Sequence, residues 1–100
     1  METYALLSLT LSHGGWTKEL EMESAELALV TEAGSRLWYI DVNGVADDEL
    51  LDYFYTAADI GVEISALARD GRMLEGTAYF HANKLHRAAA LRGDGELKGV

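Results

Sequence analysis

The chain has 100 residues, of which 49% are hydrophobic and 25% charged, and its formal net charge is −9. This length and composition predict one globular domain spanning residues 1–100 rather than a disordered chain. The chain has no cysteine, which excludes disulfides, thiolate nucleophiles and Cys-ligated metal sites. The acidic balance argues against broad nucleic-acid binding, because a phosphate backbone repels carboxylates.

No apolar run approaches the roughly 20 residues that a membrane span needs. The N-terminus is acidic at Glu2 and lacks the basic region and apolar stretch of a secretory signal. The sequence therefore predicts a cytoplasmic protein with no membrane partner.

The first half of the chain reads as four strands. Residues 3–12 alternate between apolar and polar side chains, and a second alternating run begins at Trp16 and places Glu19, Glu21 and Glu23 on one face. Helix is the alternative for residues 17–30, which are rich in helix-forming residues, but the alternation favours strand. Residues 27–30 and 37–42 then flank Glu32-Ala33-Gly34-Ser35, which predicts a hairpin.

The period changes after Gly44. Apolar residues now recur at spacings of three and four, and acidic residues precede them, as is typical of a helix whose N-terminus attracts negative charge. The apolar positions are Leu50, Leu51, Phe54, Ala57 and Ala58. Gly61 is the predicted stop of this helix.

Two alternating runs between Val62 and Phe80 face each other across Asp70-Gly71, a strong hairpin signal. A three-residue loop with Gly71 in the left-handed conformation pairs Ala68 with Arg72, and it keeps like charges from facing each other across the ladder. This register also pairs Ala66 with Leu74.

The segment after Phe80 allows two interpretations. Residues 87–93 have helical composition with Asn83 as a cap, but alternation continues through Leu97 and favours a last strand. Glycines on its inner face would mark a bulge, a bend or the close approach of another backbone. The predicted fold is α+β in the order β-β-β-β-α-β-β-β, a curved antiparallel sheet or small barrel with one helix packed on it.

No constellation in the sequence predicts catalysis, a cofactor or a metal site. His81 and His86 are five residues apart, a spacing that brings them to one face of neither a helix nor a strand. The oxygen-rich stretch from Asp41 to Glu49 has its glycine at the wrong position for an EF-hand loop. A turn followed by an acidic helix start explains the same residues.

A partial likeness covers residues 67–93, about a third of the chain. The segment Leu67-Ala68-Arg69-Asp70-Gly71-Arg72, followed by Gly76, Phe80 and Asn83 and then by Leu91-Arg92-Gly93, resembles a compressed form of the two signatures of the Sm-like family. The resemblance implies a small bent-sheet barrel that assembles into rings and binds RNA, and no binding residue is carried over from it.

Three functional hypotheses follow. The first is a non-enzymatic interaction or structural module that forms a homodimer, or binds a protein partner, through its sheet edges. The second is a small-ligand-binding protein or enzyme with a site between helix and sheet. Its lining would be aromatic and polar: His13, Trp16, Trp38, Tyr53 and Tyr55.

The third hypothesis is a phosphate, nucleic-acid or acidic-partner contact. Lys84, Arg87 and Arg92 form the only cluster of basic residues in the chain, and phosphate binding rewards such clusters.

Overall fold

The computed structural model describes residues 1–100 and contains seven strands and one helix in the predicted order. They are β1 (Glu2–His13), β2 (Trp16–Glu19), β3 (Ser24–Glu32), β4 (Ser35–Asn43), α1 (Asp48–Thr56), β5 (Gly61–Ala68), β6 (Met73–Asn83) and β7 (Ala88–Lys98). The α+β class and the order of elements are therefore confirmed.

Six strands form a closed antiparallel barrel in the order β1, β3, β4, β7, β6, β5, with β5 returning to pair with β1. The seventh strand, β2, pairs with β1 alone. β1 pairs with both β3 and β2 because it uses different residues for each: Glu2–Ala5 pair with β3, and Thr10–His13 pair with β2. Of the two predicted architectures, the molecule adopts the barrel, which leaves fewer strand edges unpaired than an open sheet.

The barrel interior is built from the inward-facing residues of the alternating strands. In β4 the predicted face of Trp38, Ile40 and Val42 is buried, and Phe80 and Leu91 are fully buried in β6 and β7. Twenty-four buried residues form one hydrophobic cluster. Burial of this apolar surface is the main term that favours folding.

β2 is shorter than predicted. Its last backbone bond to β1 joins Leu20 N–H to the Leu9 carbonyl, after which the chain leaves β1 and crosses toward the β4–α1 connection. There Glu23 N–H donates to the carbonyl of Asn43, and Ala46 N–H donates to that of Glu21. The prediction of a strand reaching Glu23 is therefore wrong, because backbone partners from another part of the chain replace those of β1.

Helix α1 begins at the acidic residues that predicted its N-terminus. Asp47 caps it by accepting a hydrogen bond from Leu50 N–H at 3.1 Å, and an ion pair with Lys18 helps hold the pKa of that carboxyl below its ordinary value. The helix ends at Thr56, whereas Gly61 is the first residue of β5, so the predicted stop is wrong. This nine-residue helix is too short to cross a membrane.

The helix packs on the barrel through its apolar side. Leu50, Leu51 and Phe54 are buried, and the rings of Phe54 and Phe80 lie 4.5 Å apart between centroids. Their burial explains why the three-and-four spacing marked residues 50–54 correctly, whereas the predicted positions Ala57 and Ala58 lie beyond the end of the helix. The helix thus contributes to the same core as the strands.

The hairpin between β5 and β6 has the predicted register. Ala66 pairs with Leu74, and Ala68 N–H donates to the Arg72 carbonyl at 2.9 Å. Gly71 has φ +94°, in the left-handed region, and its N–H donates to the Ala68 carbonyl at 3.0 Å. The three-residue loop is therefore confirmed.

Replacing Gly71 by alanine should lower the free energy of unfolding by about 1 kcal/mol, because a Cβ disfavours positive φ. No atom lies within 4 Å of the added Cβ, so the effect isolates backbone conformation from crowding. Urea unfolding measures it. Gly15→Ala is the matched control, since Gly15 is also uncrowded but lacks positive φ. Equal stability of Gly71→Ala and the native chain would contradict this account of the turn.

The last segment is strand β7, and the glycines predicted on its inner face have three different roles. Gly93 is partly buried, Gly95 is exposed, and Gly99 follows the end of the strand. A Cβ on Gly93 would lie 2.3 Å from the ring of Trp38. Gly95 has φ +83° and lies where the register between β6 and β7 shifts. A Cβ on Gly99 would lie 2.0 Å from the Met73 carbonyl oxygen. The sequence predicted that such glycines mark a bulge or the close approach of another backbone. At Gly93 the close neighbour is instead the indole ring of Trp38.

Candidate functional site

The barrel is closed along only part of its length. β4 pairs with β7 from Tyr39 to Val42, but residues 35–38 of β4 pair with β3 alone. We call this four-residue segment the open β4 edge. On the other side of the gap, residues 93–98 of β7 pair with β6 only. Unpaired strand edges are the places where β-proteins add further strands.

The indole of Trp38 fills the interior side of this gap. Only 4% of Trp38 is exposed, and its Nε1–H donates to the Gly95 carbonyl at 3.1 Å. The ring lies against Gly76 of β6 and Gly93 of β7, where any Cβ would come within 3 Å of it. The gap between β4 and β7 is therefore closed to solvent from within, although the backbone of β4 remains unpaired outside.

Exposed apolar side chains surround the open β4 edge. Leu37 is 56% exposed and pairs with Val30 of β3, and Tyr39 and Tyr79 are 38% and 43% exposed. Arg92 lies between the two tyrosines in register, with Tyr39 on one neighbouring strand and Tyr79 on the other. Together they form an outer patch across the strands beside the edge.

A hydrogen bond of 3.2 Å joins the Tyr79 hydroxyl to Asp94, and it raises the pKa of Tyr79 because the carboxylate disfavours the phenolate. At neutral pH the tyrosine is therefore a neutral donor. The patch combines aromatic surface, one guanidinium and one carboxylate.

The predicted basic residues do not form one free cluster. Lys84 pairs with Asp52 at 2.6 Å, which raises the pKa of the lysine, and Arg87 pairs with Asp48 at 3.0 Å. Both carboxylates belong to α1, so these contacts tie the β6–β7 turn to the helix. Arg92 lies in β7, several residues away along the strand. Two of the three positive charges are thus already matched within the chain.

The predicted aromatic lining divides into three places. His13, Trp16 and Tyr53 come together, with the histidine ring 5.7 Å and 5.5 Å from the other two. Tyr55 instead faces the β6–β7 turn, where the ammonium of Lys84 lies 5.1 Å from its ring centroid. Trp38 lies against the glycines of β6 and β7. The structure therefore joins three of the five predicted residues.

Both ring nitrogens of His13 have partners in the fold. Nδ1 is 2.6 Å from the Gly61 carbonyl and must donate to it, since a carbonyl only accepts. The other ring nitrogen, Nε2, forms a hydrogen bond with the Tyr53 hydroxyl, 3.0 Å away. These bonds connect β1 to the start of β5 and to α1, which is a structural role.

One groove was missed by the sequence analysis. It lies on the outer face of β7, where Ala88 and Ala90 form the floor, and its volume is about 930 Å³. Asp41 of β4 and His81 of β6 lie on either side of Ala90 in register. We call this feature the alanine groove. The run Ala88-Ala89-Ala90 was the available signal, because small outward side chains between larger ones leave a depression.

Comparison of the chain with protein-family models, with curated proteins and with solved structures gave no match. The resemblance to the Sm-like signatures stays a prediction. Two of its glycines, Gly76 and Gly93, have a local explanation, because both make room for the Trp38 ring. No group of three or more His, Asp or Glu side chains converges as metal ligands would.

Proposed function

We propose that this protein is a non-enzymatic interaction module that forms a homodimer through the open β4 edge. The observation that carries the proposal is the four-residue segment, residues 35–38, which has a strand neighbour on one side only. Such an edge is self-complementary, since two copies related by a two-fold axis can pair the same segment antiparallel.

Local backbone geometry supports an accessible edge. Ala33 and Gly34 have φ +49° and +81°, as a two-residue hairpin turn requires, so the flanking pair Glu32–Ser35 exchanges backbone hydrogen bonds. Hydrogen-bonded and non-bonded pairs alternate along an antiparallel ladder. The N–H and C=O of Arg36 therefore point away from β3, toward the open side.

Charge and apolar surface support a second copy as the occupant. Each chain carries −9 overall, so two copies repel each other through most contacts. Residues 31–38 contain one acid, Glu32, and one base, Arg36, and are formally neutral. Leu37 within this segment and Tyr39 next to it are exposed and would extend the contact beyond the edge, which a stable interface needs.

Arg36→Pro tests the proposal. Proline removes the outward N–H and is tolerated on an edge strand. The fold should be retained, because the backbone bonds to β3 come from the neighbouring residues. We expect the native chain to sediment as a dimer and Arg36→Pro as a folded monomer. Arg36→Ala is the matched control: it keeps the N–H, loses the charge, and should remain dimeric, because exposed ion pairs contribute only about 0–1 kcal/mol.

Salt separates edge pairing from electrostatic association. A dimer held by backbone pairing and apolar contact should persist at high salt, where attraction between exposed charges is screened beyond about 3 Å at 1 M. A native chain that is monomeric at every concentration, a dimer that dissociates completely in high salt, or a dimeric Arg36→Pro would each refute the proposal.

A further inference from the structure

The alanine groove is an open depression on the outer face of the barrel, large enough to hold a small ligand. Its volume of about 930 Å³ lies within the range of about 300–1,000 Å³ that is usual for such sites. The floor is apolar and flat, since Ala88 and Ala90 present only methyl groups. Its walls stand on β4 and β6, two strand spacings or about 9.5 Å apart. Tyr55, 65% exposed, lies at one end.

The walls carry hydrogen-bonding groups of both kinds. Asp41 and Asn43 project from β4, and His81 and Asn83 from β6. The one internal bond that a wall side chain makes is from His86 N–H to Asn83 Oδ1, at 3.4 Å. The Asp41 carboxylate only accepts, the amides both donate and accept, and histidine can do either. A ligand here must offer donors and acceptors close together.

This lining excludes other ligand classes on chemical grounds. Phosphates and nucleotides need unmatched positive charge, but Lys84 is already paired with Asp52 and the chain carries −9. A divalent cation needs several oxygen ligands, and Asp41 is the one carboxylate in the groove. A wholly apolar ligand would make no use of the exposed polar side chains on both walls, whereas a polar ligand gains hydrogen bonds from them.

We propose that the alanine groove binds a neutral carbohydrate. Sugar hydroxyls donate and accept at once, which matches Asp41, Asn43 and His81, and the C–H face of a sugar ring fits on the methyl floor of Ala88 and Ala90. The Tyr55 ring at the end of the groove adds an aromatic surface. The proposal is independent of dimer formation, which uses residues 35–38 of β4 rather than the groove walls.

Titration of ¹⁵N-labelled protein with maltose, cellobiose and lactose, followed by NMR, tests the proposal. At least one disaccharide should shift the amides of Ala88 and Ala90 in a saturable manner, with a Kd of about 1 mM. Ala90→Phe fills the groove and should abolish these shifts at Ala88. Thr3→Phe, which adds the same ring to an exposed position of β1 outside the groove, should leave them unchanged.

Asp41→Asn provides a second variant of nearly unchanged shape. It should weaken binding about tenfold, because it replaces a charged acceptor by a neutral amide. The titration is repeated in Arg36→Pro, so that a failure of dimer formation and a failure of sugar binding are read separately. Absence of saturable shifts with all three sugars, stronger binding of inorganic phosphate or indole at the same amides, or unchanged affinity in both groove variants would overturn the proposal.

Discussion

Trp38→Ala is expected to lower the free energy of unfolding by about 3–5 kcal/mol, the largest effect of any single change considered for this protein. The indole is 4% exposed and fills the barrel where β4 and β7 no longer pair. Its removal leaves a cavity that the glycines of β6 and β7 have no side chains to fill. Native proteins have free energies of unfolding of about 5–15 kcal/mol, so this loss would be a large fraction of the total stability.

Thermal and urea unfolding measure the effect, and a domain of this size loses about 4–8 °C in Tm per kcal/mol. Tyr39→Ala is the matched control, because Tyr39 is the adjacent aromatic residue of the same strand but faces outward. Both variants are compared in the Arg36→Pro background, so that loss of the proposed dimer contact of Tyr39 does not contribute. We expect a much smaller loss for Tyr39→Ala. Equal losses in the two variants would mean that the Trp38 ring does not support the barrel.

Gly93→Ala should destabilise the protein by about 1–3 kcal/mol through overpacking. The new Cβ would meet three ring atoms of Trp38 at 2.3, 2.4 and 2.6 Å, closer than any ordinary contact. The indole has little room to move, since Gly76 lies against another part of the same ring and the Gly95 carbonyl accepts from Nε1. Urea unfolding of the single variant gives the magnitude.

A double-mutant cycle assigns this loss to the contact itself. In a Trp38→Leu background, the smaller side chain should accommodate the added methyl group, so Gly93→Ala should cost less than it does in the native chain. Gly15→Ala is the neutral comparison, with no atom within 4 Å of its added Cβ. Additive effects of Trp38→Leu and Gly93→Ala would contradict a direct clash.

These effects concern the gap that underlies the proposed function. The Trp38 ring fills the gap from inside. Residues 35–38 of β4 can therefore lack a strand partner on the β7 side without exposing the core. An open edge and an intact interior are thus compatible in one strand. The arrangement gives Arg36 and Leu37 an exposed position beside a filled core.

The sequence by itself determined the elements and much of their local geometry. Alternation identified the buried face of β4, and it outweighed the helical composition of residues 87–93, because Ala89, Leu91 and Leu97 must reach the core. The register at Gly71 also followed from local rules, since turn conformation and cross-strand charge act between near neighbours.

Tertiary structure decided how far each element extends and what its side chains meet. β2 stops at Glu19 because backbone groups from a distant segment provide the next partners, and no local pattern records such partners. α1 stops at Thr56 because the backbone of Ala57 is already extended. Barrel closure likewise depends on β1 pairing with β5, more than fifty residues later in the chain.

Tertiary structure also determined which residues come together at the candidate sites. The sequence placed His13, Trp16 and Tyr53 in one group correctly. Tyr55 is separated from them because it lies two residues after Tyr53 and faces another side of α1. Trp38 is separated because it lies on the inward face of β4 and packs inside the barrel. The alanine groove exists only where β7 lies between β4 and β6. Sequence periodicity fixes which side of a strand a residue faces, whereas the neighbours across the sheet follow from the fold as a whole.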